Sequence, residues 1–129
     1  MELTTFNNEF SSMEKYTCVV WGYALGHSHL YVRMYIPPFK PEEHLYLVFY
    51  SVKYFSGYLK WNNSKIRIGT TEETNKIIKP EIIGLSGNSI HDYLSSYNLF
   101  IIENRDISII IFAGKTFEVI VEPVSFVKS

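Results

Sequence analysis

Apolar and polar residues alternate in two neighbouring segments of the chain, residues 29–36 and residues 44–50. Successive side chains of a β-strand point to opposite faces, so this period of two predicts a strand in each segment. Pro37-Pro38 ends the first strand, because proline cannot donate a ladder hydrogen bond. Each strand has one apolar face, formed by Leu30, Val32, Met34 and Ile36 in the first and by Leu45, Leu47 and Phe49 in the second.

The register of the resulting hairpin follows from the requirement that the two apolar faces coincide. The best-centred register places Ile36 opposite Leu45 on one face and Tyr35 opposite Tyr46 on the other. The first face is then part of the core. The second is an aromatic face, which we predict to be the binding surface, formed by Tyr31, Arg33, Tyr35, Tyr46 and Tyr50.

Other segments rich in β-branched and aromatic residues predict further strands. They cover residues 16–23, 54–61, 65–68, 99–103, 107–112 and 116–122. Gly57 interrupts the second of these, which indicates a bulge or a close approach of another part of the backbone. The apolar run at residues 109–112 indicates a central strand that is covered on both faces. The last strands are expected to follow one another as a meander, with Phe117, Val119 and Val121 facing inward.

Two short helices are predicted between these strands. Thr70 and Glu73 form the Thr-x-x-Glu signature of a capping box at the start of the first helix, and Pro80 ends it. A second helix is expected over residues 89–97, because apolar side chains recur there at the spacing of one helical face. Both helices are expected to lie against the sheet.

These elements predict an α+β fold that is mainly antiparallel β, with about seven strands and two short helices. The strands are expected to form a curled sheet with a barrel-like or sandwich-like arrangement. A chain of 129 residues fits a single domain. We expect that domain to cover residues 16–129, preceded by a loosely ordered arm over residues 1–15, since chain termini are often poorly held.

The cysteine content and the hydropathy indicate the cellular compartment. Cys18 is the only cysteine and cannot form an internal disulfide, whereas small secreted domains usually carry several. Residues 1–15 are polar and mixed, without the pattern of a signal peptide. No apolar run approaches the roughly 18 residues that a membrane helix requires. We therefore expect a cytoplasmic protein without a membrane partner.

The charge content argues against nucleic acid as a partner. The formal net charge is −1, and the 12 Lys and Arg residues are spread along the whole chain. Proteins that bind nucleic acid derive much of their affinity from neutralised phosphates, and so need a basic excess on one face. A local bias at residues 53–67 is also explained by the solvated edge of a sheet.

The candidate metal-binding and phosphate-binding segments of the sequence match their motifs only in part. His27 and His29 lie two residues apart, as at the start of the cupin metal motif, but the residues around them do not fit the rest of that motif. The third ligand would have to come from elsewhere. His44 is expected on the same face as His29 but at the opposite end of the hairpin, which leaves His91 on the second helix. The glycine-rich segment 84–89 lacks the lysine of a phosphate-binding loop. We therefore predict no catalytic residue, no metal and no cofactor, and the chain is not expected to be an enzyme.

The aromatic content is the distinctive feature, with 10 Tyr, 9 Phe and 2 Trp. Tyr and Arg are enriched at interface hot spots, so the aromatic face suits a protein interface, including self-association to a homo-oligomer. Internal packing under the helices and stacking of a flat ligand remain open, and Tyr54, Tyr58 and Trp61 could extend the face. The leading hypothesis is a protein-interaction or regulatory module. The alternative is a small enzyme or ligand-binding protein with a pocket between sheet and helices, near His27, His29 or His91.

Overall fold

A computed structural model of the chain describes residues 2–11, 16–24, 26, 28–37, 44–62, 65–78, 95–104 and 107–121. Within these residues nine strands form two antiparallel sheets. The strands are β1 (Thr17–Ala24), β2 (His29–Tyr35), β3 (Leu45–Phe49), β4 (Tyr54–Ser56), β5 (Lys60–Asn62), β6 (Ile66–Ile68), β7 (Tyr97–Asn104), β8 (Ile107–Gly114) and β9 (Phe117–Ile120). The predicted α+β class, mainly antiparallel, is confirmed, although the strand count is higher than expected.

The two sheets share one hydrophobic core. The five-stranded sheet has the order β5-β1-β2-β3-β9, and the four-stranded sheet has the order β4-β8-β7-β6. The core contains Val32 and Phe49 from the first sheet and Phe100 and Ile111 from the second. Alternate positions on each strand therefore point into the space between the sheets, as in the sandwich alternative. The core faces predicted for β2 and β3 are confirmed, because Leu30, Val32, Met34, Leu47 and Phe49 belong to the core between the sheets. Both faces of β3 are buried, however, since Tyr46 and Val48 are 2% and 1% exposed.

The register of the β2–β3 hairpin differs from the predicted one by two residues. Met34 lies opposite Leu45, and Arg33 rather than Tyr35 lies opposite Tyr46. A shift of two residues leaves every side chain on the same face, so the hydrophobic pattern cannot distinguish the two registers. The observed register places Phe49 opposite both Leu30 on β2 and Phe117 on β9. Contacts with the second neighbour, β9, therefore contribute to a choice that the hairpin sequence leaves open.

Gly57 divides the segment 54–61, which was predicted as one strand. β4 pairs with β8 in the four-stranded sheet, whereas β5 pairs with β1 in the five-stranded sheet. The chain crosses between the sheets at Gly57, which has a φ of +139°. A Cβ atom at this position would lie 2.7 Å from Ile109 Cδ1 and 3.0 Å from the Ser108 carbonyl oxygen. The predicted close approach at this glycine is confirmed, but the continuous strand is wrong.

The C-terminal strands do not form a single meander. β7 and β8 pair as predicted, and β8 lies inside its sheet between β4 and β7. β9 then crosses to the other sheet and pairs with β3. Phe117 is buried and Glu118 is exposed, as expected, but Val121 lies beyond the strand and is 71% exposed. The central position predicted for residues 109–112 is thus confirmed, and the meander is wrong.

The predicted capping box is present at the start of the helix Thr71–Ile77. Thr70 is the N-cap, and its hydroxyl accepts a hydrogen bond from the Glu73 backbone N–H while the Glu73 carboxylate accepts one from the Thr70 N–H. Arg67 of β6 donates to the same carboxylate and to Glu103 of β7. Mainly because of the hydrogen bonds from Arg67, the pKa of Glu73 is lowered to about 2. This helix is α2 of the chain, and Pro80 lies outside the described residues.

Residues 89–94 of the second predicted helix also lie outside the described residues, and its expected end at Tyr97 is instead the first residue of β7.

At the N-terminus, within the segment predicted to be a loosely ordered arm, a short helix α1 (Leu3–Phe6) continues into a π-helical turn over Asn7–Ser11. The Phe6 side chain is fully buried in the core. The Asn7 side-chain amide exchanges two hydrogen bonds of 2.9 Å with the backbone of Ile66, so this turn is fixed to β6.

Replacing Thr70 with alanine is expected to lower the free energy of unfolding by about 1 kcal/mol, because the Glu73 backbone N–H loses its capping acceptor. Thr71→Ala, one residue further along and exposed, is the matched control and should change stability by less than about 0.5 kcal/mol. Urea denaturation followed by circular dichroism measures both. Equal effects of the two variants would show that the cap does not hold this helix.

Candidate functional site

The face of the five-stranded sheet opposite the core carries the predicted aromatic residues. One row of opposed residues crosses all five strands of this sheet. It consists of Lys60, Val19, Arg33, Tyr46 and Ile120. Opposed residues in antiparallel strands share a face, so these side chains lie on one surface. We call this surface, together with Trp21, Tyr31, Tyr35, Val48, Tyr50 and Glu118, the outer face.

An arginine stacked on tryptophan lies near the centre of the outer face. The Arg33 guanidinium carbon is 3.8 Å from the centroid of the Trp21 ring, and an Arg33 amino group donates a 3.4 Å hydrogen bond to the Tyr46 hydroxyl. Trp21 is the extra residue of a β-bulge, because Val20 and Gly22 lie opposite the consecutive residues Val32 and Tyr31. Bulges commonly re-aim a side chain. Here the bulge accompanies a tryptophan that is 37% exposed beside the arginine.

A second contact group lies towards the β9 edge of the outer face. The His29 and Tyr50 rings meet edge to face with centroids 4.5 Å apart. The Tyr50 hydroxyl donates a 2.7 Å hydrogen bond to the Glu118 carboxylate. Desolvation, followed by this hydrogen bond, raises the pKa of Tyr50 to about 12. The phenol holds the exposed Glu118 carboxylate at the edge of the sheet through this hydrogen bond.

The five predicted binding residues share the outer face, but they are not equally accessible. Tyr31, Arg33, Tyr35 and Tyr50 are half-buried, whereas Tyr46 is only 2% exposed. Tyr46 can therefore support Arg33 but offers little surface to a partner. Trp21 was not among the predicted site residues, because hydropathy alone does not show the bulge in β1. Its position two residues after Val19 on a predicted strand is the signal that could have placed it on the same face as Val19.

The residues considered as extensions of the outer face lie elsewhere. Trp61 is 3% exposed in the core, Tyr54 packs on the far side of the four-stranded sheet, and Tyr58 lies between β4 and β5 with 63% of its surface exposed.

Burial raises the pKa of the Cys18 thiol to about 12. A thiol in this environment is protonated and is a poor nucleophile.

The histidine candidates are only partly described by the structure. His27 and His91 lie outside the described residues. His29 contacts Tyr50, and the buried His44 packs against Tyr35 with ring centroids 5.3 Å apart, so these two histidines lie at opposite ends of the hairpin. The described part of the chain contains no group of three or more His, Cys, Asp or Glu side chains that could hold a metal.

Comparisons with known proteins identify no relative. No family model matches the chain, and no curated protein or solved structure is significantly similar to it. Among the described residues, no helix has the length and apolar character needed to cross a membrane. The arrangement of residues on the outer face is therefore the basis for a functional proposal.

Proposed function

We propose that the protein is an interaction module that binds a second copy of itself through the outer face. The main support for this proposal is the stacking of Arg33 on Trp21, with Arg33 also hydrogen-bonded to Tyr46 on the neighbouring strand. Trp, Tyr and Arg dominate interface hot spots, and a side chain that is already ordered loses little entropy on binding. A lone buried cysteine, Cys18, agrees with action in a reducing compartment such as the cytoplasm.

The charges on the outer face favour a second copy as the partner. The basic residue Lys60 lies on the edge strand β5, whereas the acidic residue Glu118 lies on the opposite edge strand, β9. A two-fold axis along β2, the middle strand, would place each β5 over the partner's β9. Basic and acidic edges then meet twice in one symmetric interface, which is the usual arrangement of homodimers.

The size of the outer face predicts a weak dimer. β2 has seven residues, which at about 3.3 Å per residue gives a length of about 23 Å, and five strands spaced about 4.8 Å apart give a width of about 20 Å. This outline of about 450 Å² per copy is an upper limit, because Tyr46 and Val48 within it are 2% and 1% exposed, and it is below the roughly 800 Å² of a standard interface. Self-association is therefore expected in the micromolar range rather than as a permanent dimer.

Trp21→Ala is expected to weaken this dimer by about 30-fold, as for loss of a hot-spot aromatic residue worth about 2 kcal/mol. Sedimentation equilibrium over micromolar concentrations measures the change. The matched control is Tyr58→Ala, which removes an exposed aromatic side chain away from the outer face and should leave the dimer unchanged. A wild-type protein that stays monomeric over this range, or a dimer that Trp21→Ala leaves intact, would contradict the proposal.

Charge exchange tests the orientation within the dimer. Lys60→Glu and Glu118→Lys should each weaken self-association, because like charges then face each other across the interface. The double variant Lys60→Glu/Glu118→Lys restores opposite charges and should recover most of the affinity. If the double variant is weaker than both single variants, β5 does not lie over the partner's β9, and the proposed two-fold axis is wrong.

A further inference from the structure

A pocket lies at the side of the molecule where β6 and β9 are the edge strands of the two sheets. The N-terminal helical segment packs against both strands, because Asn7 is hydrogen-bonded to Ile66 of β6 and Phe6 contacts Phe117 of β9. The pocket beside this segment has a volume of about 390 Å³. It is separate from the outer face, since Phe117, which lines it, belongs to the core between the sheets.

The floor of the pocket is apolar and mainly aromatic. Phe100 of β7 and Phe117 of β9 are 1% and 2% exposed, and their rings meet edge to face with centroids 5.6 Å apart. Leu3 of α1 and Ile68 of β6 add aliphatic side chains, and Ile68 is 38% exposed. A ligand with an apolar side chain would therefore contact the edge of the core and shield Ile68 from water.

The other residues that line the pocket are polar and unpaired. Glu2 precedes α1, and Lys115 and Thr116 form the connection between β8 and β9. Asn98 of β7 lies opposite Ala113 of the core, so its amide is on the inner side of the sheet. Within the described part of the chain, these four polar side chains form no hydrogen bond or ion pair with the protein, so they are available to a ligand.

The two charged residues of the pocket have opposite signs and do not neutralise each other. The salt bridges between described residues do not include one between Glu2 and Lys115. A ligand with a single charge would meet one attractive and one repulsive group in the same pocket. A ligand that carries both an ammonium and a carboxylate can pair with both groups. The charges of the pocket therefore favour a zwitterion.

We propose that this pocket binds a small zwitterion with an apolar side chain, the chemical class of free apolar amino acids. The carboxylate lies beside Lys115 and the ammonium beside Glu2, while the apolar side chain contacts the two phenylalanines of the floor. The Asn98 amide offers a donor and an acceptor to the same two groups. The volume is within the roughly 300–1,000 Å³ of small-molecule sites and near its lower end, as suits a ligand of this size. The site is independent of self-association through the outer face.

The test uses three probes with the same side chain and different charges: phenylalanine, phenylalaninamide without the carboxylate, and 3-phenylpropanoate without the ammonium. At about pH 6 every amino group among them is protonated. Two-dimensional NMR of the whole protein locates binding and measures affinity. Phenylalanine is expected to bind most tightly and to shift the backbone signals of Leu3, Asn98 and Thr116. Absence of saturable binding, or signals that shift mainly on the outer face, would overturn the proposal.

Two charge-removing variants assign the two ends of the ligand. Lys115→Gln should weaken phenylalanine and 3-phenylpropanoate by about two- to fivefold, as for an exposed ion pair, and should not weaken phenylalaninamide. Glu2→Gln should weaken phenylalanine and phenylalaninamide to a similar extent and should not weaken 3-phenylpropanoate.

Lys65→Gln and Glu9→Gln are the matched controls, because both residues are exposed and neither lines the pocket. They should leave the affinity for all three probes unchanged. If a probe with one charge binds as tightly as phenylalanine, or if Lys115→Gln and Glu2→Gln affect all three probes equally, the zwitterion assignment is wrong.

Discussion

Replacing Phe6 with alanine is expected to lower the free energy of unfolding by about 3–5 kcal/mol, the range for a fully buried phenylalanine. Phe6 is 0% exposed and meets Phe117 edge to face with ring centroids 5.7 Å apart. Phe117 in turn contacts Phe49 of β3 and Phe100 of β7. The four rings join the N-terminal helix to both sheets, so a cavity at Phe6 weakens the packing between all of these elements.

Chemical denaturation with tryptophan fluorescence measures this loss. Thr5→Ala is the matched control, because Thr5 is the preceding residue of the same helix and is exposed. It should change stability by less than about 0.5 kcal/mol. A loss below about 1 kcal/mol for Phe6→Ala would mean that the N-terminal residues do not dock on the core, in agreement with the loosely ordered arm that the sequence predicts.

Gly57→Ala is expected to destabilise the protein by about 2–4 kcal/mol, because it combines backbone strain with a steric clash. At a φ of +139°, any residue with a Cβ atom has a strained backbone, even where the Cβ atom has room. The added methyl group would also lie 2.7 Å from Ile109 Cδ1, inside the core. The crossing from the four-stranded to the five-stranded sheet must then move, together with β4 and β5.

Gly26→Ala provides the control for this substitution. A Cβ atom at Gly26 would meet nothing within 4 Å, and its φ does not lie in the region that favours glycine. Both variants replace glycine by alanine in a connection between strands, so the difference between their thermal midpoints isolates the strain at Gly57. Equal midpoints would show that the chain can cross between the sheets without the positive φ.

Local sequence patterns were sufficient for features that depend on neighbouring residues along the chain. The period of two in residues 29–36 and 44–50 predicted two strands and assigned their core faces correctly. The capping box at Thr70 predicted the start of a helix, because both of its hydrogen bonds join residues three apart. The outer face could be predicted for the same reason, since alternation alone assigns side chains to the two faces of a strand.

Features that depend on contacts between distant residues were decided only by the tertiary structure. The register of the β2–β3 pair shifts by two residues without changing either face, and contacts between Phe49 and Phe117 of β9 accompany the observed choice. The bulge at Trp21 is defined by pairing across strands and leaves no pattern in β1 itself. Phe6 lies in a polar segment, so its burial depends on the site that both sheets form for it. The sequence by itself determined the faces of the strands, because alternation is local, and the tertiary structure determined which strands meet and in which register.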